Sequence, residues 1–317
     1  MREADVPKGE ERQRMQKRTY SGIEIYRMIF ACFIPFLHIR FPNSFILEII
    51  RQYLSRLGVP FFFVVSGMFL SCRLKENDSG AVLKVFLKRI LSILIIWLAI
   101  YTPLIIEREG FSFQDYLFKT PAYLWYLTAL AAAILPFCLL KNRTLLYICS
   151  FLLYIFGTVF GDTYGALFGV YPLICKTIVT ARNGLFFGLP LLCIGELVWK
   201  GRKSTAKLVI SALLLIAEIT FVGIWGKAYD RSMYIFLPLF MLFCVRSIKE
   251  WNPYIENLDL GRMSSLIYLM QYGIISIIAM LLGTGRVLCF LTYFLVIGIP
   301  VCICSLLKNS KLLKTIC

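Results

Sequence analysis

The sequence predicts an all-α integral membrane protein, a bundle of about ten transmembrane helices with both termini in the cytoplasm. Three observations predict it. Hydrophobic residues make up 59% of the 317 residues and charged residues 16%, whereas a soluble domain is about half apolar and about a quarter charged. The apolar residues fall into ten runs, about 21–39, 57–72, 90–106, 123–140, 144–160, 183–199, 208–226, 232–245, 264–282 and 287–307, most of them near the length of a bilayer-crossing helix. The 34 lysines and arginines are unevenly placed: with the N-terminus inside, 23 fall in inner segments, 10 in outer loops, and the last is Arg27. That is the positive-inside bias of a multi-pass protein of the cell membrane. The net charge of +16 then belongs to cytoplasmic loops that meet lipid headgroups, and nucleic acid is not an expected partner.

Taken in order, residues 1–19 (MREADVPKGEERQRMQKRT) read as a disordered basic cytoplasmic tail, and 20–307 as one transmembrane domain. The first apolar run is too long for a signal peptide and no small-x-small cleavage site closes it. Ser21 and Glu24 form an S-x-x-E capping box at its start. Glu24 also stands three residues before Arg27, within pairing reach. Arg27 and His38, the only histidine in the chain, are eleven residues apart. On one continuous α-helix they share a face, separated by roughly 16 Å along the axis.

The second run carries Pro60 and Gly67, and short, interrupted spans of this kind often line cavities. Trp125 and Tyr126 open the fourth run, where aromatic residues commonly mark the membrane interface. The outer loop 161–182 holds Gly161, Asp162, Tyr164, Gly165 and Tyr171 and ends in Thr180-Ala-Arg182-Asn183. Ser264, Ser265, Tyr268 and Gln271 open the ninth run, and residues 308–317 form a short basic cytoplasmic tail. The eleven cysteines are scattered through apolar segments without a CxxC pair. They read as small buried hydrophobes, only Cys175 falls in an outer loop, and neither a metal site nor a disulfide framework is expected.

A cation inside an apolar helix points to function. A neutral imidazole suits a general base that takes the proton of an acceptor hydroxyl. A buried guanidinium keeps its charge and suits an anionic carrier or an oxyanion. Arg27 and His38 are too far apart to touch and would serve two ends of one tunnel. Arg182, on the same side as His38, suits a carboxylate or phosphate. The structural alternatives are a histidine that hydrogen-bonds a neighbouring helix for His38, a cation paired to Glu24 or to carbonyls for Arg27, an interfacial anchor for Arg182 and interhelical hydrogen bonding for the Ser264–Gln271 stretch. No GxSxG, HExxH, Walker or dinucleotide motif is present.

Gly22-Ile-Glu-Ile-Tyr-Arg27, ten further residues and then His38 resemble the arginine–histidine signature of the membrane acyltransferase-3 superfamily. Gly58-Val-Pro-Phe-Phe-Phe-Val-Val-Ser-Gly67 is similar to that family's second-helix motif, and the likeness continues through Lys88-Arg89 at the third span and Tyr123-Leu-Trp-Tyr-Leu-Thr-Ala129 at the fourth. Gly161-Asp162, Arg182-Asn-Gly-Leu-Phe-Phe187 and Asp230-Arg-Ser-Met-Tyr-Ile-Phe-Leu-Pro238 further resemble the membrane domain of the membrane-bound serine racemases of glycopeptide-resistance clusters. In those proteins the resemblance implies L-serine uptake by the membrane part, with a pyridoxal-phosphate racemase domain attached; no racemase chemistry is expected of this chain. Two departures stand out. Gln271 follows the Ser265-x-x-Tyr268 stretch where the family commonly has a histidine, and Glu24 replaces its more usual aspartate.

The resemblance implies two functions. In the first, an O-acyltransferase moves an acyl group, expected to be acetyl, from cytoplasmic acyl-CoA to a hydroxyl of an extracytoplasmic glycan or cell-envelope precursor. His38 is then the general base, Arg27 a catalytic and donor-binding residue beside Lys88 and Arg89, and Arg182, Asp162, Trp125, Tyr268 and Gln271 the acceptor contacts. No cofactor is expected to be bound, acyl-CoA being a co-substrate. In the second, the chain is a permease for L-serine or a related amino acid, with Arg182 on the carboxylate and Arg27 lining the path. Membrane lipid is a partner in both, and a separately encoded protein is a candidate one.

Overall fold

Apolar runs too long to end in water set the architecture, and the chain answers with helices laid side by side. The computed structural model describes residues 8–109, 123–161, 163–165, 180–225, 231–251, 253, 259–283, 285–308, 310, 313 and 315. Among the described residues the regular structure is entirely helical. Numbered in chain order, the α-helices are α1 (Lys8–Phe33), α2 (Phe45–Ile49), α3 (Gly58–Glu76), α4 (Ser79–Glu109), α5 (Trp125–Leu139), α6 (Arg143–Phe160), α7 (Leu189–Val198), α8 (Thr205–Trp225), α9 (Leu237–Glu250), α10 (Leu260–Leu282) and α11 (Arg286–Leu306).

Six helical stretches among the described residues are long and apolar enough to cross a membrane, those at 45–76, 79–107, 143–160, 205–224, 260–282 and 286–306. Two shorter apolar helices cover 125–139 and 184–198. Large apolar side chains stand exposed on the outer helices, Ile95 at 64% and Phe294 at 67% among them. Exposure on that scale suits hydrocarbon rather than water. The protein is a multi-pass membrane protein.

Several expected elements come out differently. The first helix begins at Lys8, inside the segment expected to be a disordered tail, and its Glu, Gln, Arg, Lys and Met residues are good helix formers. Nor does it run unbroken to His38. The α-helix stops at Phe33, a 3₁₀ turn covers Ile34–Leu37, and His38 follows. Pro35 is the cause, because it has no N–H for the α ladder and its ring crowds the preceding turn. Arg27 and His38 therefore do not share one continuous α-helix. The loop expected at 40–56 is helical from Phe45 onward, as α2, a π turn at Ile50–Leu54 and a 3₁₀ turn at Ser55–Leu57. Helix α4 starts eleven residues before the expected run, because Asp78 caps it through the N–H groups of Gly80 and Ala81 at 2.9 and 3.1 Å. Lys88 and Arg89 thus sit well inside α4 instead of opening it.

The bundle closes most tightly between α3 and α7. A Cβ added to Gly67 would overlap the Leu192 backbone, and one added to Gly195 would overlap the Val64 carbonyl oxygen. Small residues let membrane helices approach backbone to backbone in this way. Gly67→Leu is accordingly expected to cost about 3 kcal/mol or more, since backbone atoms cannot step aside. Gly298→Ala, where an added Cβ meets nothing within 4 Å, should be neutral. Thermal melting of the two purified variants checks the contrast.

Glu218, the single acid in the apolar run of α8, is buried. Its carboxylate accepts the N–H groups of Ile235 and Phe236 at 2.6 and 2.9 Å and the Tyr164 hydroxyl. With its acceptor positions filled, it ties α8 to the start of α9 as a structural clasp.

Candidate functional site

Two cavities lie toward opposite ends of the bundle, and α10 runs past both. Its residues Leu260, Ser264 and Tyr268 line one; Ile275, Ala279 and the following Gly283 line the other. The first cavity, about 1290 Å³, contains Arg27; the second, about 1330 Å³, contains His38.

In the first cavity Arg27 and Glu24 reach α10 at Gly261, where an added Cβ would lie 3.4 Å from Arg27 Nη1 and 3.9 Å from Glu24 Oε1. Glu24 is not half of a capping box, because the helix already begins at Lys8, well upstream of Ser21, and the Ser21 hydroxyl donates to the Pro253 carbonyl at 2.5 Å. Its carboxylate instead lies within electrostatic reach of Arg27. Arg27 Nε is buried without a hydrogen-bond partner among the described residues. Deeper in, Tyr126 Oη and Ser66 Oγ share a hydrogen bond of 3.2 Å. Arg73, Arg89, Arg262 and Lys308 also line this cavity, with Arg262 paired to Asp259 at 3.0 Å. Three carboxylates, those of Glu24, Glu76 and Asp259, line it as well, so the result is a large, mixed-charge cavity with more cations than anions and one buried guanidinium, a chemistry that can take an anionic carrier.

In the second cavity the His38 imidazole stacks on the Tyr123 ring, with centroids 3.7 Å apart and planes 13° from parallel. Tyr123 is the one non-glycine residue with positive φ among the described residues, at 60°. A bulky residue held there signals a constraint imposed by its surroundings. The constraint is visible: the Tyr268 hydroxyl donates to the Tyr123 carbonyl at 2.6 Å, and the Tyr272 ring meets the Tyr123 ring edge-on at 5.2 Å. Tyr101 backs the cluster, donating to the Leu269 carbonyl at 2.6 Å and packing on Tyr272 at 5.3 Å. Tyr268→Phe is expected to cost about 1–3 kcal/mol by leaving a carbonyl unpaired. Melting of the variant against wild type measures it.

The structure brings some of the expected residues together and leaves others apart. Arg89 lines the Arg27 cavity; Lys88 is exposed and does not. The Arg182 guanidinium lies over the Trp125 ring at 4.5 Å and within electrostatic reach of His38, yet neither Arg182 nor Trp125 lines either cavity. Tyr268 lines the first cavity and reaches Tyr123 in the second. Gln271 is fully buried and lines neither. Asp162, Tyr171, Cys175 and Asp230 lie outside the described residues. Tyr123, Tyr126, Ser66 and Tyr272 were not singled out as site residues from sequence, where aromatic residues near a span end read as interface anchors.

A family model described as an acyltransferase domain matches residues 20–308. The chain belongs to this acyltransferase family. The chain is also similar to an amino-acid racemase of Enterococcus faecalis, at 26% identity over 93% of this chain and 47% of the relative. It is also similar to a serine/alanine racemase of Enterococcus gallinarum, at 28% identity over 79% of this chain and 40% of the relative. The chain thus spans less than half the length of these relatives. No solved structure matches it. As a member of the acyltransferase family, the chain carries its arginine and histidine in separate cavities rather than in one pocket.

Proposed function

We propose that this protein is a membrane O-acyltransferase that passes an acyl group, acetyl in the simplest case, from cytoplasmic acyl-CoA to a hydroxyl on the other face of the membrane. The observation that carries the reading is the pair of cavities at opposite ends of the bundle, one holding Arg27 and the other His38. The positive-inside count puts the Arg27 cavity on the cytoplasmic side, where its arginines and Lys308 suit the phosphates of the donor. Arg27 holds the donor arm at depth, and Arg89 lines the same cavity within electrostatic reach of it. Lys88 does not line the cavity.

On the opposite side His38 takes the proton of the acceptor hydroxyl, whose oxygen attacks the acyl carbon. The new C–O bond forms as the C–S bond breaks, and the thiolate leaves with the proton that His38 accepted. Tyr123 fixes the imidazole plane, and Tyr268 fixes Tyr123. Arg182, held over Trp125, places a positive charge near the base and suits an acidic group on a cell-envelope acceptor.

A second reading, in which this chain moves L-serine, draws on the likeness to relatives of which one is named for serine and alanine. Purified protein in liposomes separates the two, with thioester cleavage of labelled acetyl-CoA followed alongside L-serine uptake. Cleavage that requires His38 supports the transferase; uptake without cleavage overturns it in favour of a permease.

A further inference from the structure

Ser264, Tyr268, Gln271 and Ile275 follow one another at intervals of four, three and four residues, so they form one stripe along α10. Ser264 and Tyr268 line the Arg27 cavity, and Ile275 lines the His38 cavity. Tyr268 and Ile275 are seven residues apart, roughly 10 Å of helix. Gln271 occupies that interval, in the wall between the cavities.

Gln271 is 0% exposed, and both its Nε2 and Oε1 lack a hydrogen-bond partner among the described residues. Its polar neighbours along α10 are committed elsewhere. The Ser264 and Ser265 hydroxyls both donate to the Gly261 carbonyl at 2.9 Å, and the Tyr268 hydroxyl donates to Tyr123. A buried amide with neither donor nor acceptor used is costly, and folded proteins rarely keep one. Leucine, of nearly the same shape, would remove the cost entirely.

We propose that Gln271 is a substrate-binding residue: its side-chain N–H donates to the carbonyl oxygen of the acyl group when the thioester lies across the wall between Arg27 and His38. This rests on the acyl-transfer reading above. The wall is closed around Gln271 in the structure, so the amide gains its partner only as the wall parts around the substrate. The unmade bonds lower the cost of that opening.

The test uses the full chain, purified wild type and the variants Gln271→Leu and Gln271→His, with acetyl-CoA as the probe. Melting temperature and thioester turnover are measured on the same preparations. Gln271→Leu should melt at or above the wild-type temperature while turnover falls by about tenfold or more, as for a lost carbonyl donor. Gln271→His, which keeps an N–H, should recover part of the turnover. A lower melting temperature in Gln271→Leu would mean the amide is partnered and structural, and turnover at the wild-type rate would mean the substrate does not use it; either result overturns the proposal alone. A wild-type protein that cleaves no thioester overturns the acyl-transfer reading together with it.

Discussion

His38→Ala is expected to lower thioester turnover by about 10²-fold or more, the range for removing a positioned general base, while the protein is still made and folded. Both halves of the expectation come from the geometry. The imidazole makes one aromatic pair, its stack on Tyr123, and losing one such pair costs about 0.5–1.5 kcal/mol. Tyr123 itself stays in place, pinned through its carbonyl by Tyr268 and at its edge by Tyr272. Because His38 is the only histidine in the chain, a histidine-directed reagent should reproduce the loss in wild type and have nothing to act on in the variant. Initial-rate assays on matched preparations check it. A His38→Ala protein of wild-type activity would remove the base assignment and leave Arg182 the stronger claim to the site.

Arg27→Met is expected to reduce kcat/KM for acetyl-CoA by about 10²-fold or more, as befits loss of a buried charge-assisted contact. The larger share should fall on KM. Arg27 sits in the cavity away from His38, so it is placed to hold the donor rather than to share in the proton transfer. Arg27→Lys should recover little, because an ammonium cannot reproduce the guanidinium fork. Steady-state kinetics with varied acetyl-CoA separate the two parameters. A loss confined to kcat would move Arg27 from donor binding to the reacting carbonyl.

Much of this was legible in the sequence. Apolar length marks a span almost by itself, because lipid forces the backbone to pair within its own helix. That is why helices such as Leu260–Leu282 and Arg286–Leu306 start within a few residues of the expected runs. Punctuation inside a helix was harder to weigh. Pro35 was visible, yet the run around it is apolar enough to read as one helix, so the break before His38 was missed. Asp78 was equally visible as a cap, but it stands among charged residues where hydropathy is silent. Arg27 and His38 were legible because each is chemically out of place. The cluster that positions His38 was not. Tyr123, Tyr268 and Tyr272 come from α10 and from the residues before α5, and only tertiary packing joins them. Tyr123 at φ 60° breaks a local preference that no sequence pattern announces.

The account stands or falls on an acyl group crossing between the cavities. The direct measurement supplies acetyl-CoA labelled in the acetyl group to the cytoplasmic face of sealed vesicles containing the protein, and then assays the opposite face for label in base-labile ester. Ester label is expected on the far face, dependent on both Arg27 and His38. Intact thioester alongside L-serine accumulation, or ester label confined to the donor face, would contradict it.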